Sequence, residues 1–147
     1  MRRRSPPAQR SRSIWAYRGK GVVVGNPFAE HLAMRVEATA EGRCRMTVEL
    51  DPRHFNPHGT VHGAVLFALA DTSMGHALYT RLAPEQSCAS IEVKINFLAA
   101  VRHGIVICDS ELLRVGRTVA YLESRLMTDG QLVATASGHF AVFARRV

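Results

Sequence analysis

The sequence predicts an α+β domain in which an antiparallel sheet curls around one long central helix. Three observations carry this. Residues 61–80 are rich in small residues, Leu and Met, hold no proline, and are the single long helix candidate in the chain. Val65, Leu66, Leu69, Ala70, Met74, Ala77 and Leu78 cover more than one stripe of that helix, so it is buried on several sides. Strand-like segments follow at residues 90–97, 104–115, 118–128 and 131–143, joined by short breaks such as Asp129-Gly130, a strong hairpin signal. Short turns join antiparallel strands, so the four are read as hairpins of one antiparallel sheet.

Residues 1–20 read as a basic tail and linker with no apolar face that could offset the entropy of ordering, and Trp15 and Tyr17 are candidates to dock its end. An arm touching RNA or a membrane surface is the alternative for this segment. The folded domain is expected over residues 21–147. Asn26 and Pro27 open a turn or short helix, with Phe28 and Leu32 as its apolar face. Residues 34–39 alternate weakly. After Gly42, Cys44, Met46, Val48 and Leu50 alternate with Arg45, Thr47 and Glu49, which is a half-buried strand. Residues 51–60 hold Pro52, Pro57 and Gly59 and read as a loop. In residues 90–97, Ile91, Val93, Ile95 and Phe97 alternate with Glu92, Lys94 and Asn96.

The chain has a formal net charge of +7, which at first suggests a nucleic-acid partner. Five arginines (Arg2, Arg3, Arg4, Arg10 and Arg12) lie in the first 13 residues, however, and without them 14 basic residues face 12 acidic ones. The body is nearly neutral, which argues against nucleic acid. Cys44, Cys88 and Cys108 are far apart and odd in number, so neither a disulfide framework nor a four-cysteine zinc site is expected, and a reducing cytoplasm fits best. No run of about 18 apolar residues exists to span a membrane, and no apolar leader follows the basic start. His54, His58 and His62 are spaced by four, but Pro57 and Gly59 between them break any helix that could align them, so no metal is expected.

Residues 56–71 carry the chemistry. A Gly- and Pro-rich loop runs into the buried helix, whose first turn has free N–H groups and the positive end of the macrodipole. A carbonyl oxygen gaining charge during attack would be stabilised there, and Gly63 has no side chain to block it. Asp71 then sits mid-helix among apolar residues. It is either a carboxylate satisfied by Thr72, Ser73 or a backbone donor, or a nucleophile or general base in a dry pocket.

These residues resemble the hotdog-fold acyl-CoA thioesterases, in particular the phenylacetate-pathway type. The resemblance spans residues 26–147: Asn26-Pro-Phe with His31-Leu32, Asn56, His62-Gly63, Asp71, the strand from Ser90, and the Gly116-Arg117-Thr118 turn. It implies a hotdog fold, no cofactor, and hydrolysis of an acyl-CoA thioester. It further implies that Gly63 N–H binds the thioester carbonyl, Asp71 attacks it or activates water, Asn56 orients carbonyl or water, Ser90 assists the water, and His62 braces the loop. Many relatives have His-Gly-Gly where this chain has His-Gly-Ala64, a change that adds one methyl beside the donor. Ala64, Thr72, Arg102, Arg117 and Thr118 are the candidates for substrate and CoA contacts, with Arg114 as a further phosphate partner. The alternative for Arg117-Thr118 is a plain hairpin turn, and His76 reads as a core or interface histidine.

Gly63 and Asp71 are eight residues apart, which on one helix is about 12 Å of rise. An Asp side chain cannot cross that gap, so under this reading the two groups come from different subunits. Two antiparallel helices about a two-fold axis would bring Gly63 of one copy to Asp71 of the other, giving a homodimer with two shared sites. Dimers of dimers are the further assembly to consider. Rival activities are an enoyl-thioester hydratase or dehydratase and a non-catalytic acyl-CoA sensor.

Overall fold

The computed structural model describes residues 25–145; the basic tail, Trp15 and Tyr17 lie outside them. The elements run α1 (Pro27–His31), β1 (Met34–Ala40), β2 (Arg43–Glu49), a 3₁₀ turn (Pro52–His54), α2 (Gly63–Tyr79), β3 (Gln86–Phe97), β4 (Ile105–Val115), β5 (Val119–Thr128) and β6 (Gln131–Ala144). The six strands form one antiparallel sheet in the order β1-β2-β4-β5-β6-β3, wrapped on α2. Among the described residues no helix is long and apolar enough to cross a membrane.

The reading of four successive hairpins needs one correction. β4–β5 and β5–β6 are hairpins, but β3 does not pair with β4. It crosses to pair with β6, and β4 pairs with β2. The connection after β3 carries the chain past the start of α2, where Val61 N–H donates to the Val101 carbonyl at 2.8 Å. β4 therefore arrives on the far side of the helix, beside β2.

The core forms because alternate strand residues and most of α2 are apolar. Leu69, Met74 and Leu78 of α2 are fully buried against Met46, Val48, Val106, Leu122 and Leu126 of the sheet. Truncating any of these leucines to alanine removes about 2–5 kcal/mol of packing. The polar groups in this layer satisfy one another. Ser124 Oγ donates to Ser110 Oγ (2.6 Å), Ser110 Oγ to Ser73 Oγ (2.8 Å), and Ser73 Oγ to the Cys44 carbonyl (3.4 Å).

α1 starts at Asn26 and Pro27 as the sequence predicts, with the Asn26 side chain accepting from Ala29 N–H at 3.1 Å. Its buried residue is Ala29, however, and Phe28 is 59% exposed, so the proposed Phe28 face is not a core face. Five residues offer too short a helix to seat a bulky stripe.

Within the 51–60 loop, His54 is fully buried and joins three segments. Its Nδ1 accepts from Asp51 N–H (2.9 Å) and its Nε2–H donates to the Leu32 carbonyl (2.9 Å), which fixes the tautomer. With both ring nitrogens on backbone groups, His54 is a brace. His54→Ala should lower unfolding stability by about 3 kcal/mol in a denaturant melt, since it leaves a cavity and two buried backbone groups without their partner.

One stripe of α2 is left uncovered. Ala64, Phe67, Asp71, Gly75 and Tyr79, three or four residues apart, are exposed or half-buried. β3 lies at the edge of the sheet beside that stripe, with Ile91, Phe97 and Leu98 each more than half exposed.

Candidate active site

The first pole of the site is the start of α2. His62 is its N-cap, in extended conformation, and Nδ1 of its ring accepts from Ala64 N–H at 3.0 Å. The cap occupies the Ala64 donor. Among the described residues no acceptor meets Gly63 N–H, so one helix-start donor stays free. The loop before it is shaped by Asn56. Its Oδ1 accepts from His58 N–H (2.9 Å) and Thr60 N–H (3.3 Å), and its Nδ2 donates to Thr60 Oγ1 (2.8 Å). Gly59, at φ 71°, supplies the left-handed residue that this turn requires. The Asn56 amide is thus engaged in building the loop that presents Gly63.

Gly63 is also a packing glycine. A Cβ placed there would stand 2.9 Å from a ring carbon of Phe97, which lies over it from the end of β3. Arg102 is at this same end of the sheet, its Nη1 donating to the Gly59 carbonyl at 3.4 Å.

The second pole is Asp71, two turns further along the same uninterrupted helix. Its Oδ1 accepts from Ser90 Oγ of β3 at 2.6 Å, which orients the carboxylate and leaves Oδ2 for other work. Asp71, Thr72 and Ser90 line a cleft of about 400 Å³ closed by Asn26, His76 and Cys88. Asp71 stood out by its mid-helix place among apolar residues, and Ser90 through the family resemblance. That Asn26, His76, Tyr79 and Cys88 share their cleft depends on how α1 and β3 flank the helix, which no local pattern encodes. Burial pushes the His76 imidazole down to about 4 and the Cys88 thiol up to about 11. At neutral pH the first is an uncharged imidazole and the second an uncharged thiol. Neither competes with the Asp71 carboxyl for acid–base or nucleophilic work.

A larger cavity, of about 870 Å³, lies on the outer face of the sheet. Four of its charged side chains are paired across β2 and β4, Arg43 with Glu111 (2.7 Å) and Arg45 with Asp109 (2.6 Å). Size alone therefore does not pick out the chemistry. Arg117 and Thr118 are exposed in the β4–β5 turn, at the opposite end of the sheet from Arg102. Within one chain these candidates do not converge, and neither do Gly63 and Asp71.

The sequence model of the Thioesterase superfamily matches residues 58–135, which hold Gly63, Asp71 and Ser90. A Pseudomonas aeruginosa protein named as an esterase is 29% identical over 102 residues, 69% of this chain and 76% of its own. A thioesterase variant from the same organism superposes with a TM-score of 0.76 at 27% identity, over 80% of this chain and 86% of that one. A variant of the phenylacetic acid degradation protein PaaI from Thermus thermophilus superposes with a TM-score of 0.74 at 26% identity, over 79% of this chain and 98% of that one. With this fold and this match over more than half of its length, the chain belongs to the Thioesterase superfamily and is a thioester hydrolase of the hotdog fold.

Proposed function

We propose that the chain hydrolyses an acyl-CoA thioester to the free acid and CoA, at sites shared between two copies in a two-fold dimer. One observation carries the reading: a free Gly63 N–H and an Asp71 carboxylate stand on one continuous helix, about 12 Å apart, with nothing between them that could bridge one thioester. Two further features support a second copy: the uncovered stripe of α2 that bears Asp71, and the open β3 edge with its exposed Ile91, Phe97 and Leu98. Open apolar edges are usually covered.

In the mechanism, the thioester oxygen docks on Gly63 N–H of one copy, and Asp71 of the other faces the acyl carbon. The carboxylate either adds to that carbon, forming an anhydride that water then opens, or takes a proton from the water that adds. In both cases the C–S bond breaks with its electron pair on sulfur, and the thiolate gains a proton to leave as CoA. Ser90 holds Asp71 in line, while Asn56 and His62 hold the loop. Ala64 and Thr72 border the acyl path. The two-fold arrangement that joins Gly63 to Asp71 also brings the Arg102 end of one copy toward the Arg117-Thr118 end of the other, so these arginines serve the CoA phosphates. A CoA ester as substrate and three unpaired cysteines support a cytoplasmic setting for the reaction.

Thiol release measured across a panel of aryl, aryl-acetyl and straight-chain acyl-CoAs tests the activity, with Asp71→Ala as the blank. Wild-type release above that blank is expected; loss of an enoyl chromophore without thiol would instead favour a hydratase. Arg117→Ala should raise KM for CoA esters roughly tenfold and leave kcat nearly unchanged, with no such effect on a thioester lacking the nucleotide.

A further inference from the structure

Ser90 and Phe97 both face α2, one meeting Asp71 and the other lying on Gly63. They are seven residues apart, an odd number, and a regular strand would turn them to opposite faces. β3 reconciles them with a bulge. Ser90 pairs with Phe140 and Glu92 with His139, so the strand advances two residues against one on β6, and Ile91 is the extra residue. On the near side of the bulge Ser90 points inward with buried Phe140. On the far side Val93, Ile95 and Phe97 point inward with Gly138, Ala136 and Ala134.

Two fasteners hold this bulge. On the outer face, the Glu92 carboxylate accepts from His139 twice, from N–H at 3.1 Å and from ring Nδ1 at 2.5 Å. On the inner face stands Gly138, in ordinary strand conformation. A Cβ there would lie 2.9 Å from the Glu92 carbonyl oxygen, 3.1 Å from Val93 Cγ2 and 3.2 Å from the Phe140 ring. The nearest of these is backbone, which cannot rotate away. The glycine is needed for close approach, and what approaches is the carbonyl next to the extra residue.

We infer that Gly138 is a positioning residue for the hydrolysis: by admitting the Glu92 carbonyl it holds the Ile91 bulge that places Ser90 Oγ on Asp71. It acts through Ser90 and touches no substrate. This rests on the thioesterase reading above.

The test is a double-mutant cycle read as kcat and KM for the best acyl-CoA of the panel, each variant checked for folding by its thermal melt. Gly138→Ala and Ser90→Ala should each lower kcat roughly tenfold, with KM within about twofold. In the Ser90→Ala background, Gly138→Ala should cost less than about twofold further. Equal losses in both backgrounds, or an unchanged kcat, overturn the inference. Should Gly138→Ala not fold, Ile91→Gly loosens the bulge at an exposed position without adding atoms. It is expected to show the same loss and the same dependence on Ser90, and additive behaviour again overturns the inference. A wild-type chain that releases no thiol overturns the thioesterase reading and this inference with it. An active wild type with a dead Asp71→Asn and a fully active Gly138→Ala overturns this inference alone.

Discussion

Asp71→Asn lowers thioester turnover by about 10³–10⁴-fold while the protein remains folded, the scale set by losing a positioned base or nucleophile. The substitution is chosen for what it keeps. Asn has the shape of Asp, and its amide oxygen still accepts the hydrogen bond from Ser90 Oγ that Asp71 takes at 2.6 Å. What disappears is the anionic oxygen that could attack carbon or accept a proton from water. No neighbour can take over. His76, held down to about 4 by burial, stays neutral at pH 7, and the Cys88 thiol, pushed up to about 11, supplies almost no thiolate. Asp71 is half-buried on the open stripe of α2, so the fold does not depend on its charge. Thiol release and a thermal melt on the same preparation measure both halves, and near-normal turnover by a folded Asp71→Asn protein would remove Asp71 from the chemistry.

The second large effect is recovery of activity from two dead proteins. Asp71→Ala and Gly63→Val are each expected to be inactive, the first for want of its carboxylate. The second fails because any side chain at position 63 meets the Phe97 ring, 2.9 Å from the site of a Cβ, and crowds the N–H that receives the carbonyl. After subunit exchange at equal concentrations, half of the dimers are mixed. Each mixed dimer holds one site built from the intact Gly63 of one subunit and the intact Asp71 of the other. About one quarter of wild-type activity should return. If both groups acted within one chain, every site would contain a lesion and nothing would return. Native mass spectrometry confirms the mixed species, and its presence without activity would dismantle the shared site.

The parts of this protein legible in its sequence are those written in short-range periodicity. The buried helix shows in the run of Leu, Ala and Met from Val65 to Leu78, and it spans Gly63–Tyr79. The β4–β5–β6 meander shows in alternation broken at Gly116-Arg117 and Asp129-Gly130. That a carboxylate sits mid-helix, eight residues beyond a glycine at the helix start, is also plain in the chain. It is enough to argue that one subunit cannot bring the two together.

Other features were decided only when distant segments met. β3 went to the far edge of the sheet because its loop runs across the start of α2. His54 is buried because Leu32 and Asp51 converge on it. Asn56 spends its amide on its own loop, and Arg102 and Arg117 end at opposite ends of the sheet. Ser90 shows the reason most sharply. The alternation of Ile91, Val93, Ile95 and Phe97 assigns it to the outer face, and the bulge at Ile91 turns it to Asp71. Period and turn chemistry are properties of a few neighbouring residues, so a sequence displays them directly. Register and bulges are properties of two strands together, here β3 and β6 far apart in the chain, and depend on whether a carbonyl of one finds a glycine in the other.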